Sequence, residues 1–169
     1  MRFGWVSAVT AAMMLAACGG NDTDTGGEDA RVAEAAAFMA ENADADGVVP
    51  LESGLQYKVL NAAPDGAPGP DGNDLVRVHY EGSLTDGTVF DSSFERGSPY
   101  VTTPEQVVPG WTEALQRMKV GDEWLLYVPP ELGYGGQGSG RIPPHSVLVF
   151  RVQLLDLAPA PGGGGSGRG

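Results

Sequence analysis

The sequence predicts an α+β fold in which an antiparallel β-sheet wraps around one short α-helix, with a further short helix near the amino terminus. Two observations lead to this prediction. Segments such as Leu75–Glu81 alternate apolar and polar residues, which indicates half-buried strands. Between such segments, Trp111, Leu115 and Met118 recur at helical spacing. Strands on both sides of one helix are expected to bury that helix against a face of their sheet.

Five segments are predicted to be strands, namely Leu55–Leu60, Leu75–Glu81, Thr88–Asp91, Glu123–Val128 and Ser146–Leu157. In the second strand Val76, Val78 and Tyr80 share one face. Asp86-Gly87 supplies the positive φ that a tight hairpin needs, so the second and third strands are expected to be adjacent. The fifth strand is the longest, and its apolar face carries Leu148, Phe150, Val152 and Leu154.

Two helices are expected. The first, Arg31–Asn42, is rich in alanine and places Val32, Ala36 and Met39 on one side. The second begins after Pro109-Gly110, and Lys119–Asp122 closes it, with Gly121 as the expected C-cap. The first helix could pack on the domain or pair with a second copy of the chain, and the sequence does not choose between these.

The chain divides into five predicted segments: a signal peptide at 1–17, a flexible tether at 18–29, a helical leader at 30–46, the strand-rich domain at 47–159 and a disordered glycine-rich tail at 160–169. The formal net charge is -12, and nine acidic residues but one basic residue lie between Asp22 and Glu52. Because a face that binds phosphates needs clustered Lys and Arg, this negative net charge argues against nucleic acid as a partner.

Cys18 is the only cysteine, which rules out an intramolecular disulfide and a cysteine-based metal site. It follows Arg2 and an apolar run, Val6–Ala17, that is typical of a secretory signal and too short to span a bilayer. Leu15-Ala16-Ala17-Cys18 resembles the lipobox of bacterial lipoproteins, which implies lipidation of Cys18 and a membrane anchor in the cell envelope. By the Gram-negative sorting pattern, Gly19 would imply the outer membrane. The alternative is an incidental cysteine in an ordinary signal peptide.

Three blocks of the domain resemble the signatures of the FKBP-type peptidyl-prolyl cis-trans isomerases. They are Val78–Gly82 with Asp86–Ser93, then Gln106–Trp111, then Tyr134-Gly135 with Ile142–His145 and Leu148–Phe150. The blocks keep the family's order and spacing from Ser53 to Leu157, and Gly54–Leu60 further resembles the macrophage-infectivity-potentiator branch. The resemblance implies an FKBP-like fold and isomerisation of X-Pro bonds in exported polypeptides. It also implies binding of inhibitors like tacrolimus or rapamycin, and no cofactor.

An X-Pro bond is trapped by a barrier of about 18–20 kcal/mol because the planar amide is stabilised by resonance. The twisted transition state has lost this resonance and is less polar, so a dry aromatic cleft favours it. By resemblance to the family, Tyr80, Phe90, Trp111 and Phe150 line this cleft, completed by Val107, Val108 and Ile142. The Val108 N–H and the Tyr134 hydroxyl would hold substrate carbonyls, Trp111 would form the floor, and Asp91 would be the single carboxylate at its edge.

Each of these residues also has a plain structural interpretation. Phe90, Trp111 and Phe150 could be core residues, and Asp91 could be a turn former. The combination of motifs favours the cleft for the set. For the whole protein, the alternative is a proline-peptide binding module or holdase chaperone with little turnover. No group of side chains has metal-ligand spacing. Arg141 stands where an apolar residue is common in the family, and it would add a charge at the pocket mouth.

Overall fold

The computed structural model describes residues 25–160. Its strands are β1 (Val48–Pro50), β2 (Gln56–Asn61), β3 (Leu75–Leu84), β4 (Val89–Ser92), β5 (Tyr100–Thr102), β6 (Glu123–Val128) and β7 (Leu148–Ala158). They form one sheet in the order β1-β2-β6-β7-β3-β4, with β5 also paired to β3, and every pairing is antiparallel. Two α-helices accompany the sheet, α1 (Thr25–Ala43) and α2 (Pro109–Arg117).

Helix α2 supplies the centre of the hydrophobic core. Trp111, Leu115 and Met118 are buried, as their helical spacing predicted. They share one cluster with the inward-facing residues of β3, β6 and β7, which are Val76, Val78, Tyr80, Trp124, Leu126, Val128, Leu148, Phe150, Val152 and Leu154. Both the alternation along the long strands and the α+β arrangement around one short helix are therefore confirmed.

The pairing of β3 with β7 fixes the positions of several predicted cleft residues. Tyr80 lies opposite Val152, and Gly82 lies opposite Phe150. On the other edge of β3, Gly82 pairs with Asp91 of β4 and Val78 pairs with Tyr100 of β5. Because side chains two residues apart share a face, Tyr80 and Phe150 point to the side of the sheet where α2 lies.

Helix α1 lies on the other side of β6 from α2, because Tyr127 alternates with the core residues Leu126 and Val128. Its Phe38 ring lies 6.2 Å from the Tyr127 ring. Buried Gln56 also ties the helix to β2, since its amide donates to the Met39 carbonyl at 2.7 Å and accepts from Asn42 at 2.8 Å. Within one chain, the leader helix therefore packs on the domain.

The helices differ from the sequence prediction at two ends. Helix α1 begins at Thr25, inside the segment 18–29 that was predicted to be a flexible tether. Glu28 in its first turn interacts favourably with the helix dipole and contacts His145 across the domain at 2.9 Å, which extends the helix in this direction. Gly121 is not the C-cap of α2. The cap is Met118, whose N–H donates to Ala114 and Leu115, and Gly121 instead turns the chain into β6 with φ +105°.

Several predictions concern residues outside the described part of the chain. These are the signal peptide at 1–17, the lipidation of Cys18, the tether up to residue 24 and the tail from residue 161 onward. Among residues 25–160, no helix combines the length and the apolar character needed to cross a membrane.

Candidate active site

A cleft of about 610 Å³ opens beside the amino-terminal end of α2. All nine residues that were predicted to form it lie on its wall, and so do Tyr100 and Gln106. The nine are Tyr80, Phe90, Asp91, Val107, Val108, Trp111, Tyr134, Ile142 and Phe150. They come from β3, β4 and β7, from the segment that leads into α2, from α2 itself and from the loop between β6 and β7.

The aromatic residues of the cleft pack edge to face in a continuous array. The Trp111 ring lies 5.2 Å from the Tyr80 ring at 86° and 5.2 Å from the Phe150 ring at 84°. Phe90 meets Phe150 at 5.6 Å and 87°. In such pairs the positive edge of one ring faces the negative face of the next. With Trp111 only 4% exposed, the array forms a fixed, apolar floor and wall.

Gly82 allows the array to close. A Cβ atom at this position would lie 2.7 Å from the rings of both Phe90 and Phe150, closer than real Cβ atoms come to other atoms. Any larger residue in this part of β3 would therefore displace the two rings. A glycine in a strand interior often marks such a close approach. Gly82 belongs to the first family motif, but its contact with the two rings does not follow from the sequence alone.

The segment before α2 brings a backbone donor to the cleft. Val108 has φ -59° and ψ 149°, outside the helical region, and Pro109 follows it at the first helical position. Among residues 25–160, no acceptor is found for the Val108 N–H, while the Val108 carbonyl accepts from the N–H groups of Trp111 and Thr112 at 2.9 and 3.1 Å. The Val108 N–H is thus free to bind a substrate carbonyl, the role predicted for it.

The polar side of the cleft is a three-residue network. The Tyr80 hydroxyl donates to Oδ2 of Asp91, and Nη1 of Arg96 donates to Oδ1 of the same carboxylate. Nη2 of Arg96 reaches the Tyr80 hydroxyl at 3.0 Å, and its guanidinium lies 5.5 Å from the Tyr80 ring centre. Both oxygens of Asp91 are therefore occupied, and its negative charge is balanced by Arg96.

These contacts set the ionisation states of the network. Burial opposes ionisation of Asp91, but the hydrogen bonds from Tyr80 and Arg96 outweigh it and lower the pKa of the carboxyl. Burial raises the pKa of the Tyr80 hydroxyl, and its hydrogen bond to Asp91 raises it further. At neutral pH Asp91 is therefore ionised and Tyr80 protonated. Both shifts move the two pKa values further from neutral pH, so neither group changes its ionisation state there.

Arg96 is the functional residue that the sequence prediction missed. It lies in the turn after β4, five residues beyond Asp91, and its position in the network depends on how this turn folds. One signal was available, because an ionised carboxylate at the edge of an apolar cleft needs a counter-charge and Arg96 is the first cation after Asp91. Tyr100 also lines the cleft, and its placement depends on the pairing of β5 with β3.

Buried Ser93 hydrogen-bonds to the backbone of Tyr80. Its hydroxyl oxygen accepts from the Tyr80 backbone N–H at 2.8 Å and lies 2.9 Å from Nδ1 of His79. The His79 ring is stacked on Phe94 at 4.7 Å, on the outer face of the sheet. His79 therefore stabilises β3 and does not line the cleft. Within the described chain, no three His, Cys, Asp or Glu side chains come together to hold a metal.

Comparisons with known proteins agree with the geometry. The family model described as FKBP-type peptidyl-prolyl cis-trans isomerase matches residues 67–155, and a model for the domain amino terminal to it matches residues 13–59. The chain is 50% identical over 129 residues to the FKBP-type 22 kDa peptidyl-prolyl cis-trans isomerase of Escherichia coli K12. The aligned residues cover 76% of this chain and 62% of that protein.

Two further comparisons point to the same family. The outer membrane protein MIP of Legionella longbeachae is 44% identical over 125 residues, covering 73% of this chain and 53% of that protein. The crystal structure of FkpA from Escherichia coli superimposes with a TM-score of 0.76 at 40% identity, covering 81% of this chain and 63% of that one. The chain thus spans between about half and two thirds of the length of these proteins.

Proposed function

This chain belongs to the FKBP-type peptidyl-prolyl cis-trans isomerases, and from that premise we propose that it catalyses cis-trans isomerisation of X-Pro bonds in polypeptides. The observation that carries the proposal is the convergence of nine family-motif residues on one cleft with an aromatic floor and wall. A chain that needed these residues only for its core would not leave an open space of about 610 Å³ beside them.

The proposed mechanism relies on desolvation and positioning. The proline ring sits over Trp111, enclosed by Tyr80, Phe90 and Phe150. Water that would hydrogen-bond the amide oxygen stabilises the planar, charge-separated form of the amide, so its exclusion favours the twisted form. The Val108 N–H holds a substrate carbonyl and so fixes one side of the bond while the other rotates. No covalent bond forms or breaks, and no proton needs to move.

The Asp91 network adds a fixed electrostatic wall. Since Asp91 is ionised and engaged by two donors, it holds the Tyr80 ring in place and presents a polar edge to the rotating amide. A preorganised charge of this kind acts without reorganising during the reaction. This is the role for which a carboxylate suits an otherwise apolar cleft.

For partners and location, we infer proline-containing exported polypeptides as substrates and tacrolimus- or rapamycin-like compounds as inhibitors. The signal-like residues 1–17 and the lipobox-like Leu15–Cys18 support a lipid anchor on Cys18 and a place in the cell envelope. The Legionella relative, which is named an outer membrane protein, supports the envelope and fits the outer membrane for a Gram-negative source.

The proposal is tested by the exchange rate of a capped proline tetrapeptide, measured by NMR with catalytic amounts of the purified protein. We expect cis-trans exchange well above the spontaneous rate and inhibition by stoichiometric tacrolimus. Binding of the peptide without acceleration would overturn the proposed enzyme and would indicate a proline-peptide binding protein.

A further inference from the structure

Arg141 lies at the tip of a tight turn next to the cleft. The turn is closed by two backbone hydrogen bonds between Ser139 and Ile142, of 2.9 and 2.8 Å. Ile142 is 8% exposed and lines the cleft, whereas the Arg141 side chain is exposed. The charge is therefore attached directly to a residue of the cleft wall.

The turn requires glycine at two positions next to Arg141. Gly138 and Gly140 have positive φ values of 64° and 54°, which an L side chain rarely adopts. A Cβ at Gly138 would also collide with the carbonyl oxygen of Ile142. Because Arg141 is bonded directly to the wall residue Ile142, its guanidinium lies within one side-chain length of the cleft wall.

Among the described residues that line the cleft, none carries an unbalanced charge. Asp91 is the only one of them that is charged at neutral pH, and Arg96 neutralises it. Glu105 precedes the wall residue Gln106, but its carboxylate is directed to the loop at Gly72 and does not line the cleft. Within residues 25–160, no carboxylate forms an ion pair with Arg141. Its guanidinium is thus available to a substrate.

From this arrangement we propose that Arg141 determines substrate specificity by favouring polypeptides with an acidic side chain within two residues of the proline. The inference rests on the proposed isomerase function and names its substrate class. A guanidinium presents several N–H donors in a plane and binds a carboxylate with two parallel hydrogen bonds. For an exposed pair of this kind, the expected preference is about two- to fivefold in kcat/KM.

The test uses acetyl-capped tetrapeptides that carry Glu, Gln or Lys, in one series before the proline and in another after it. Exchange is measured by NMR without a coupling protease, so that no second enzyme adds its own charge preference. The full-length protein is used at about 0.01 M salt, where screening is weak. In one of the two series, kcat/KM for the Glu peptide should exceed kcat/KM for the Lys peptide two- to fivefold. At about 1 M salt the ratio should approach one.

Variants of Arg141 test whether this residue causes the preference for Glu over Lys peptides. Arg141→Lys should retain part of the ratio, Arg141→Gln should bring it near one, and Arg141→Glu should invert it. Lys119→Gln is the matched control, because Lys119 is an exposed cation beyond the other end of α2, and it should keep the wild-type ratio. Equal rates for Glu and Lys peptides in the wild type, or a preference that survives in Arg141→Gln, would overturn the inference. Absence of turnover for every peptide would instead overturn the proposed function.

Discussion

Asp91 shows how one residue in the cleft depends on two others. Its carboxylate accepts from Tyr80 on one oxygen and from Arg96 on the other. These donors keep the pKa of Asp91 low although burial opposes ionisation. The contribution of this group to stability is present above the ordinary carboxyl pKa of about 4 and is lost as the pH falls through the lower folded value. At neutral pH the network is complete.

Asp91→Asn keeps the shape of the side chain and removes its charge. The Tyr80 hydroxyl then loses an ionic acceptor and Arg96 loses its counter-charge, so we expect kcat/KM to fall by about five- to tenfold with little change in fold. Asp86→Asn is the matched control, because Asp86 is an exposed acid in the turn before β4 that does not line the cleft. Equal losses in the two variants would show that the charge of Asp91 has no special role.

The aromatic wall is expected to matter more than the Tyr134 hydroxyl. Phe90→Ala opens the cleft to water, and we expect a loss of more than about tenfold in kcat/KM, whereas Tyr134→Phe removes one hydrogen bond and should cost about fivefold or less. Phe94→Ala provides the control, since Phe94 is an exposed phenylalanine stacked on His79 outside the cleft. Peptide exchange kinetics on the three variants would refute this ordering if Tyr134→Phe proved the most damaging.

At the scale of elements, the pairing of β3 with β7 and β4 is what assembles the site. Gly82 has Phe150 as its partner on one side and Asp91 on the other, so this single position controls how closely β4 and β7 bring their aromatic rings together. The turn after β4 places Nη2 of Arg96 3.0 Å from the Tyr80 hydroxyl. The strand register and one tight turn thus bring residues from separate sequence motifs together around the cleft.

Gly82→Ala should disturb the cleft without disturbing the backbone, since Gly82 does not have a positive φ. The added methyl group meets the Phe90 and Phe150 rings, and overpacking of this kind costs about 1–3 kcal/mol. We expect a lower melting temperature together with a large loss of kcat/KM. Gly26→Ala in α1, where a Cβ meets nothing within 4 Å, should lower neither quantity. An active and fully stable Gly82→Ala protein would contradict the packing described here.

The sequence predicted the long elements well because their periodicity extends over enough residues. Glu123–Val128 has the same bounds in sequence and structure, and the core faces of β3 and β7 follow from simple alternation. The strands β1 and β5 were not predicted, because three residues each are too few to show a period. Helix α1 begins earlier than expected, since tertiary contacts such as Glu28 with His145 extend it beyond its alanine-rich part.

The site could be predicted to the extent that it lies within contiguous motifs. All nine predicted residues line the cleft, but Arg96 and Gly82 acquire their roles from three-dimensional contacts that no local pattern contains. The lowering of the Asp91 pKa likewise depends on hydrogen-bond donors from two different segments. Such contacts follow from turn geometry and strand register, which a single sequence leaves open.

For the whole molecule, the proposed arrangement is a catalytic domain held at a membrane by Cys18. The domain carries its leader helix α1 packed against the sheet through Phe38 and Gln56. Few residues separate Cys18 from the start of α1 at Thr25. A lipid anchor would therefore keep the domain close to the bilayer surface.

Cys18→Ser tests the anchor. Several acyl chains, at about 0.8 kcal/mol per buried methylene, would hold the wild-type protein on membranes almost permanently. We expect the wild type in the membrane fraction and the variant released or left unprocessed, as followed by fractionation and mass spectrometry. A mature wild-type chain with an unmodified Cys18 would refute lipidation and leave the isomerase proposal untouched.

We propose that the cleft isomerises X-Pro bonds by desolvating and positioning the amide, and that no catalytic group changes its ionisation state. The most direct measurement is kcat/KM for a neutral proline peptide between about pH 6 and 8, by NMR exchange. Asp91, whose pKa is lowered, and Tyr80, whose pKa is raised, keep their ionisation states throughout this range. We expect acceleration that is nearly flat with pH and unchanged by EDTA. A bell-shaped profile, in the range where a catalytic histidine would titrate, or loss of activity with EDTA would contradict it.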